Sequence, residues 1–398
     1  MMAPRRVKVC HIITRLIVGG AQENTILSCA RVDQRQYDTR LITGPQTGRE
    51  GSLHGEARAL GVSIAIVPTL VRELSPANDL RALPALVRLL RAEGPDIVHT
   101  HSSKAGILGR AAAWLAGVPR VVHTVHGWSF HDYMSPIRHH AYIVLERAMA
   151  RRTDRLIVVT HRDRHKGLAA RVGRPAQYLL VRSGVDLTPF RDARESPAAV
   201  RATLGVPADA RVIGSVIRLS AQKDPLTLVR AAAVVLRTLP DVYWIIVGDG
   251  LLRGEVEALA ERLGIRDRIC LTGIRRDIPA LMRAFDVFVL SSLWEGLSRV
   301  IPQAMASGVP IVASAVDGTS DAIEDGVSGM LVPLASPDAL AQRTIEILTN
   351  PLLAKKLTES GQGRAQEFEL TTMIRQLEAL YDELATGAGA FASRVALR

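Results

Sequence analysis

Aromatic residues make up only 4% of this 398-residue chain, too few for the stacking surfaces that hold single-stranded nucleic acid. Cysteine is scarcer still. Cys10, Cys29 and Cys270 are far apart and form no CxxC pair, which disfavours a disulfide framework and a cysteine zinc site and points to a reducing cytosol. No run approaches the roughly 18 apolar residues that a bilayer-spanning helix needs. The first apolar stretch, Val9 to Ile13, follows Arg5, Arg6 and Lys8, but Arg15 and Gly19-Gly20 come too soon for a signal-peptide core. The expected location is therefore cytoplasmic, soluble or peripheral on the inner face of the cell membrane. Two nucleotide signatures are missing as well. No GxGxxG follows the first apolar run, which disfavours a dinucleotide-dependent dehydrogenase, and no Gly-x4-Gly-Lys-Ser/Thr marks a P-loop ATPase.

What is present describes a globular chain of two ordinary domains, since 47% of its residues are hydrophobic and 22% charged. The formal net charge of +11 is unevenly placed: residues 1–190 hold 27 basic and 14 acidic side chains, and the remainder is close to balanced. An arginine-rich composition alone would produce such a bias. The functional reading is a basic face for an anionic surface, densest at Arg151, Arg152, Arg155, Arg162, Arg164, Lys166, Arg171 and Arg174. Because aromatic residues do not interleave with these, lipid is favoured and nucleic acid is not expected as a partner.

Short β-branched runs alternate with Ala- and Leu-rich helical stretches in both halves, the signature of parallel sheets covered on both faces. The first half carries Val7–Ile13, Val62–Val67, Asp96–Thr100, Arg120–Val125, Arg155–Thr160 and Gln177–Val181 as strands. The second carries Arg211–Ile217, Val242–Val247, Arg268–Thr272, Phe285–Leu290 and Pro310–Ala313. The expected fold is α/β, two tandem Rossmann-like doubly wound domains facing a cleft. Residues 1–188 form the first domain and the proline-bearing stretch 189–209 a linker. Residues 210–370 form the second domain, and 371–398 a final helix with a loose tail.

Several residues at predicted strand ends could carry chemistry. Arg218 and Lys223 sit in the loop after one strand, five residues apart, and two cations with loop amides suit a diphosphate. Glu295 lies in the loop after Phe285–Leu290, just before a helix, where open α/β sheets bind ligands. Gly19 and Gly20 lie between the first strand and a helix, where bare amides can face a phosphate or sugar. His126 ends a strand in Thr124-Val-His-Gly-Trp128. His99 and His101 end another, but with no carboxylate or Cys at ligand spacing a metal site is rejected.

These motifs, in this order and spacing, resemble glycosyltransferase family 4, retaining enzymes of the two-domain GT-B architecture. The likeness covers nearly the whole chain. The segments His99-Thr-His-Ser-Ser-Lys-Ala-Gly-Ile-Leu-Gly109 and Thr124-Val-His-Gly-Trp-Ser-Phe130 are similar to members acting on lipid-linked sugars of surface polysaccharides. The resemblance implies a hexosyltransferase that needs no metal or cofactor, using a nucleoside-diphosphate sugar as donor and a lipid-linked or glycan acceptor. Arg218 and Lys223 would hold the diphosphate, with Gly19 and Gly20 against its phosphate or sugar. Glu295, with the amides of Leu297 and Ser298, would contact the sugar, and His126 would face its reacting carbon. Ile274 and Arg275 stand where the base rests. Gln303 departs from the pattern: it replaces a Glu that accepts hydrogen bonds from the ribose, keeping one carbonyl acceptor and losing the charge. Two alternatives remain open on these residues: an inactive donor-binding partner subunit, which Gln303 would suit, and a sugar-nucleotide epimerase of the same architecture.

Overall fold

The computed structural model describes residues 5–46, 51–73, 75–130 and 134–386; the tail expected to be loose lies outside the described residues. The chain forms two compact units. Residues up to Gly184, together with those from Thr371 onward, make the first, and Val185–Leu370 make the second.

The first unit is built on seven parallel strands: β1 (Val7–Ile13), β2 (Tyr37–Thr43), β3 (Ser63–Ile66), β4 (Ile97–His101), β5 (Arg120–Val125), β6 (Arg155–Val158) and β7 (Tyr178–Leu180). Their spatial order is β3-β2-β1-β4-β5-β6-β7. The second unit has six: β8 (Arg211–Val216), β9 (Val242–Val247), β10 (Ile269–Gly273), β11 (Val287–Leu290), β12 (Ile311–Ser314) and β13 (Met330–Val332), ordered β10-β9-β8-β11-β12-β13. Both are doubly wound sheets of the Rossmann type, as the alternation of strand and helix predicts. Central strands such as β4 and β11 are buried along their whole length, because helices cover both faces of a parallel sheet.

In each sheet the chain winds outward from a central strand, then returns to its other side. The reversal falls between β1 and β4 in the first unit and between β8 and β11 in the second. Loops leaving the carboxyl ends of two such strands diverge to opposite faces, which opens a crevice for a ligand.

The structure differs from the sequence reading between the units. Residues 189–209, expected as a linker, contain part of one helix, Thr188–Arg191, and all of another, Pro197–Thr203, and belong to the second unit. Arg201 anchors this stretch, donating from Nε to Ala284 O at 3.0 Å and from Nη2 to Asp286 Oδ2 at 2.9 Å. Pro189 and Pro197 stand in the first turns of these helices, where the missing N–H is not needed. The final helix, Leu370–Thr386, is not an appendage. Tyr37 donates to Asp382 Oδ1 at 2.6 Å and Arg155 pairs with Glu383 at 2.5 Å, so it closes the first unit.

Candidate active site

In the second unit, the loops after β8 and β11 are laced together across the reversal. Leu293 N donates to Gln222 O at 2.9 Å, and Gln222 Nε2 donates to Trp294 O at 2.9 Å. Ser291 Oγ reaches the carbonyls of Lys223 at 2.7 Å and Asp224 at 2.9 Å. Asp224 itself is left-handed, with φ of 43°, a cost that a non-glycine residue bears only where its surroundings hold it. Its carboxylate caps the helix Pro225–Thr238 by accepting from Thr227 N at 3.3 Å.

This lacing puts Lys223 against Glu295. The ammonium donates to Glu295 Oε1, and Ser292 Oγ donates to the same oxygen at 2.8 Å. Both charged side chains are largely buried, at 17% and 8% exposure. A cation that can hold a phosphate and a carboxylate that can accept from sugar hydroxyls are thus neighbours. Arg218 is half-buried in the same loop after β8.

Leu297 and Ser298 are buried between Glu295 and the helix Val300–Ala306, and Gln303 lies in that helix, half-buried. Ile274 is 57% exposed beyond β10, next to Arg275 in the chain. The Arg275 guanidinium grips Asp277 through Nε at 2.8 Å and Nη2 at 2.5 Å. The glycines of Val247-Gly-Asp-Gly250 have a structural role. A Cβ at Gly248 would lie 1.9 Å from Ile217 O, and one at Gly250 would lie 2.3 Å from Leu219 O. The glycines admit the backbone of the loop bearing Arg218.

In the first unit, Gly19 precedes the helix Gly20–Arg31, which it opens by accepting from Glu23 N at 3.0 Å. Gly20 is exposed at that helix end. His126 follows β5 and is half-buried, its Nε2 at 3.1 Å from His101 Nδ1. Behind it lies a group that the sequence does not reveal. His11 on β1 stands in register with His99 on β4, so His11, His99 and His101 bring ring nitrogens within 4.8 Å of one another, all buried.

The His-x-His pair therefore does have a third histidine beside it. Its ring nitrogens are nonetheless committed: His11 Nδ1 meets His101 Nε2 at 2.9 Å, and His99 meets Tyr381 Oη and Thr124 Oγ1, each at 2.7 Å. The His11 and His101 rings lie nearly parallel, 11° apart. Parallel pairing of β1 with β4 was the missing signal for His11, and the return of the final helix was the missing signal for Tyr381.

Residues 198–364 match the family described as glycosyl transferases group 1, and residues 19–184 match the glycosyl transferase 4-like domain. The chain is 32% identical over 385 residues to the Escherichia coli UDP-Gal:alpha-D-GlcNAc-diphosphoundecaprenol alpha-1,3-galactosyltransferase, covering 95% of this chain and 97% of that protein. It is 34% identical over 375 residues to a D-inositol 3-phosphate glycosyltransferase of Mycolicibacterium gilvum, covering 86% and 82% of the two chains. Among solved structures, Anabaena HepE in complex with UDP and glucose superposes with a TM-score of 0.82 at 23% identity, over 95% of this chain and 100% of that one.

Proposed function

Because the chain belongs to the glycosyl transferases group 1 family, we propose that it transfers a hexose, with retention, from a uridine diphosphate sugar to a sugar on a lipid diphosphate. The observation that carries this reading is the contact of Lys223 with Glu295 at the reversal between β8 and β11. The E. coli relative's name supports the donor and the acceptor class, and the alpha linkage it names supports the configuration.

The chemistry follows from those groups. Lys223 and Arg218 neutralise the diphosphate as it leaves, which is the work a divalent ion would otherwise do, so turnover is expected to survive chelation. Glu295 accepts from hydroxyls of the transferred sugar, with the Leu297 and Ser298 amides beside it. Gly19 and Gly20 lie against the phosphate or sugar, His126 faces the sugar, and Ile274 with Arg275 receives the base. The acceptor hydroxyl approaches on the face the phosphate leaves. The bond from the anomeric carbon to phosphate oxygen breaks as the bond to acceptor oxygen forms, and the departing phosphate takes the acceptor's proton.

The surface of the first unit suits an acceptor held in a membrane, and we place the enzyme at the cytoplasmic face of an anionic one. On the helix Pro136–Ala150, Ile137 is 84%, Val144 48% and Leu145 42% exposed. Trp114, 53% exposed, lies under the Arg152 guanidinium at 4.0 Å. Exposed apolar side chains on a unit that also exposes Arg151, Arg152 and Arg171 fit the boundary of an anionic lipid leaflet. Arg155 drops out of the basic cluster because it is paired with Glu383. No helix among the described residues is long and apolar enough to cross a membrane.

Proton NMR of the product tests the assignment. A new alpha-linked anomeric signal, formed only with acceptor present, is expected. A beta-linked product would overturn retention, and an altered sugar formed without acceptor would favour the epimerase.

A further inference from the structure

Six side chains form one hydrogen-bonded chain at the reversal between β1 and β4. Thr124 Oγ1 lies 2.7 Å from His99 Nε2, and His99 Nδ1 lies 2.7 Å from Tyr381 Oη. Tyr381 Oη lies 3.4 Å from His11 Nε2, and His11 Nδ1 lies 2.9 Å from His101 Nε2. The last link, His101 Nδ1 to His126 Nε2, is 3.1 Å. Thr124, His99, Tyr381, His11 and His101 are buried, and His126 is half-buried at the outer end.

The donors along this chain all point one way. Burial keeps three of its rings neutral: it lowers the His11 pKa from 6.5 to about 3 and holds His99 and His101 well below their ordinary range. A neutral imidazole has one N–H and one lone pair, and a tyrosine hydroxyl has one proton to give. Each ring therefore passes the donor sense to the next unchanged, and one end decides it.

That end is Thr124, 3% exposed, whose hydroxyl has His99 Nε2 as its side-chain partner among the described residues. If Thr124 accepted from His99, its own proton would be buried without an acceptor, which proteins avoid. Thr124 therefore donates to His99 Nε2, and His99 Nδ1–H donates to Tyr381. Tyr381 donates to His11 Nε2, His11 Nδ1–H to His101 Nε2, and His101 Nδ1–H to His126 Nε2.

We propose that His101 is a positioning residue, and that the chain behind it holds His126 as the Nδ1–H tautomer. An isolated neutral imidazole favours the Nε2–H form, so the protein reverses the intrinsic preference. His126 then offers an N–H donor from Nδ1, suited to an oxygen of the donor sugar and unsuited to accept a proton there. That catalytic meaning rests on the reading of His126 as the residue facing the sugar. The tautomer itself does not.

The strained residue after His101 fits a positioning role. Ser102 has φ of 61° and ψ of 168°, a conformation nearly confined to glycine. It accepts at its carbonyl from Gly106 N at 2.8 Å, while its hydroxyl meets Thr14 Oγ1 at 3.2 Å. The turn that follows His101 at the end of β4 is thereby held from both sides.

The test is a long-range proton–nitrogen correlation spectrum of the full-length protein with nitrogen-15-labelled histidine, in mildly alkaline buffer. The His126 signals are identified by their absence in His126→Gln. The wild-type ring is expected as Nδ1–H, and Tyr381→Phe, which removes the proton His11 accepts, is expected to shift it toward Nε2–H. A wild-type His126 in the Nε2–H form overturns the proposal, as does a folded Tyr381→Phe protein with Nδ1–H undiminished. Should Tyr381→Phe not fold, Thr124→Val breaks the other end with the same expectations. If His126→Gln keeps full turnover while the wild-type ring is Nδ1–H, the role given to His126 fails and the chain stands.

Discussion

Lys223 and Glu295, 72 positions apart in the sequence, share one contact: the lysine ammonium donates to the carboxylate oxygen that also accepts from Ser292. The pair exists because β8 and β11 are neighbours at the reversal of the sheet. A donor would enter by exchanging each partner for its own phosphate or hydroxyl groups.

Replacing Lys223 by alanine removes the phosphate's cation and leaves a mostly buried carboxylate unpaired. Losing the protein's side of a buried charged contact with a ligand costs about 2–5 kcal/mol, so nucleoside diphosphate affinity is expected to fall on the order of thirtyfold or more. Calorimetry with uridine diphosphate reads this directly. Undiminished binding would remove Lys223 from the donor site.

Gln303 offers a neutral carbonyl where the resembling family has a carboxylate. A charge-assisted hydrogen bond contributes about 1.5–3 kcal/mol against about 0.5–1.5 for a neutral one. Gln303→Glu is therefore expected to tighten donor binding roughly five- to thirtyfold, measured by the same titration. Equal affinity would place the ribose elsewhere.

Stability should weaken in mild acid. Burial lowers the pKa of His11, His99, His101 and His123, and the Arg110 charge adds to the effect at His123. The unfolded chain takes up protons on these rings near the ordinary histidine value of 6.5, whereas the folded rings stay neutral far lower, to about 3 for His11. The unfolded state thus binds more protons below that value. The stabilisation is complete above it and declines as pH falls toward the folded values, by about 1.4 kcal/mol per pH unit for each ring. Carboxylates scarcely titrate in the upper part of this window. Urea unfolding at about pH 7.5 and about pH 5.5 should show a clear loss at the lower value; equal midpoints would contradict the neutral cluster.

Membrane contact has its own signature. The wild-type protein is expected to sediment with vesicles containing anionic lipid, less so as salt rises, and Trp114→Ala with Ile137→Ser to release it. Retention of the double variant would move the contact to another face.

How far the sequence foretells all this depends on the range of the interaction. The apolar run Val242–Val247 and the β-branched run Arg120–Val125 match their strands end to end, since burial on both faces writes itself locally. β2 escapes such a reading because Asp38 and Arg40 alternate with its buried residues, and β13 is only three residues long. Proline misleads in residues 189–209, where it starts helices. Each residue of the Lys223–Glu295 pair stands out alone, but their contact depends on strand order. His11 looks like one polar interruption in an apolar strand until β4 is set beside it.

Release of nucleoside diphosphate tests the central claim most directly, with uridine diphosphate hexoses supplied alongside lipid-diphosphate-linked sugars. The account predicts acceptor-dependent release by the wild-type protein, lost in Glu295→Ala. No release from any donor and acceptor pair, or full release by Glu295→Ala, would contradict it.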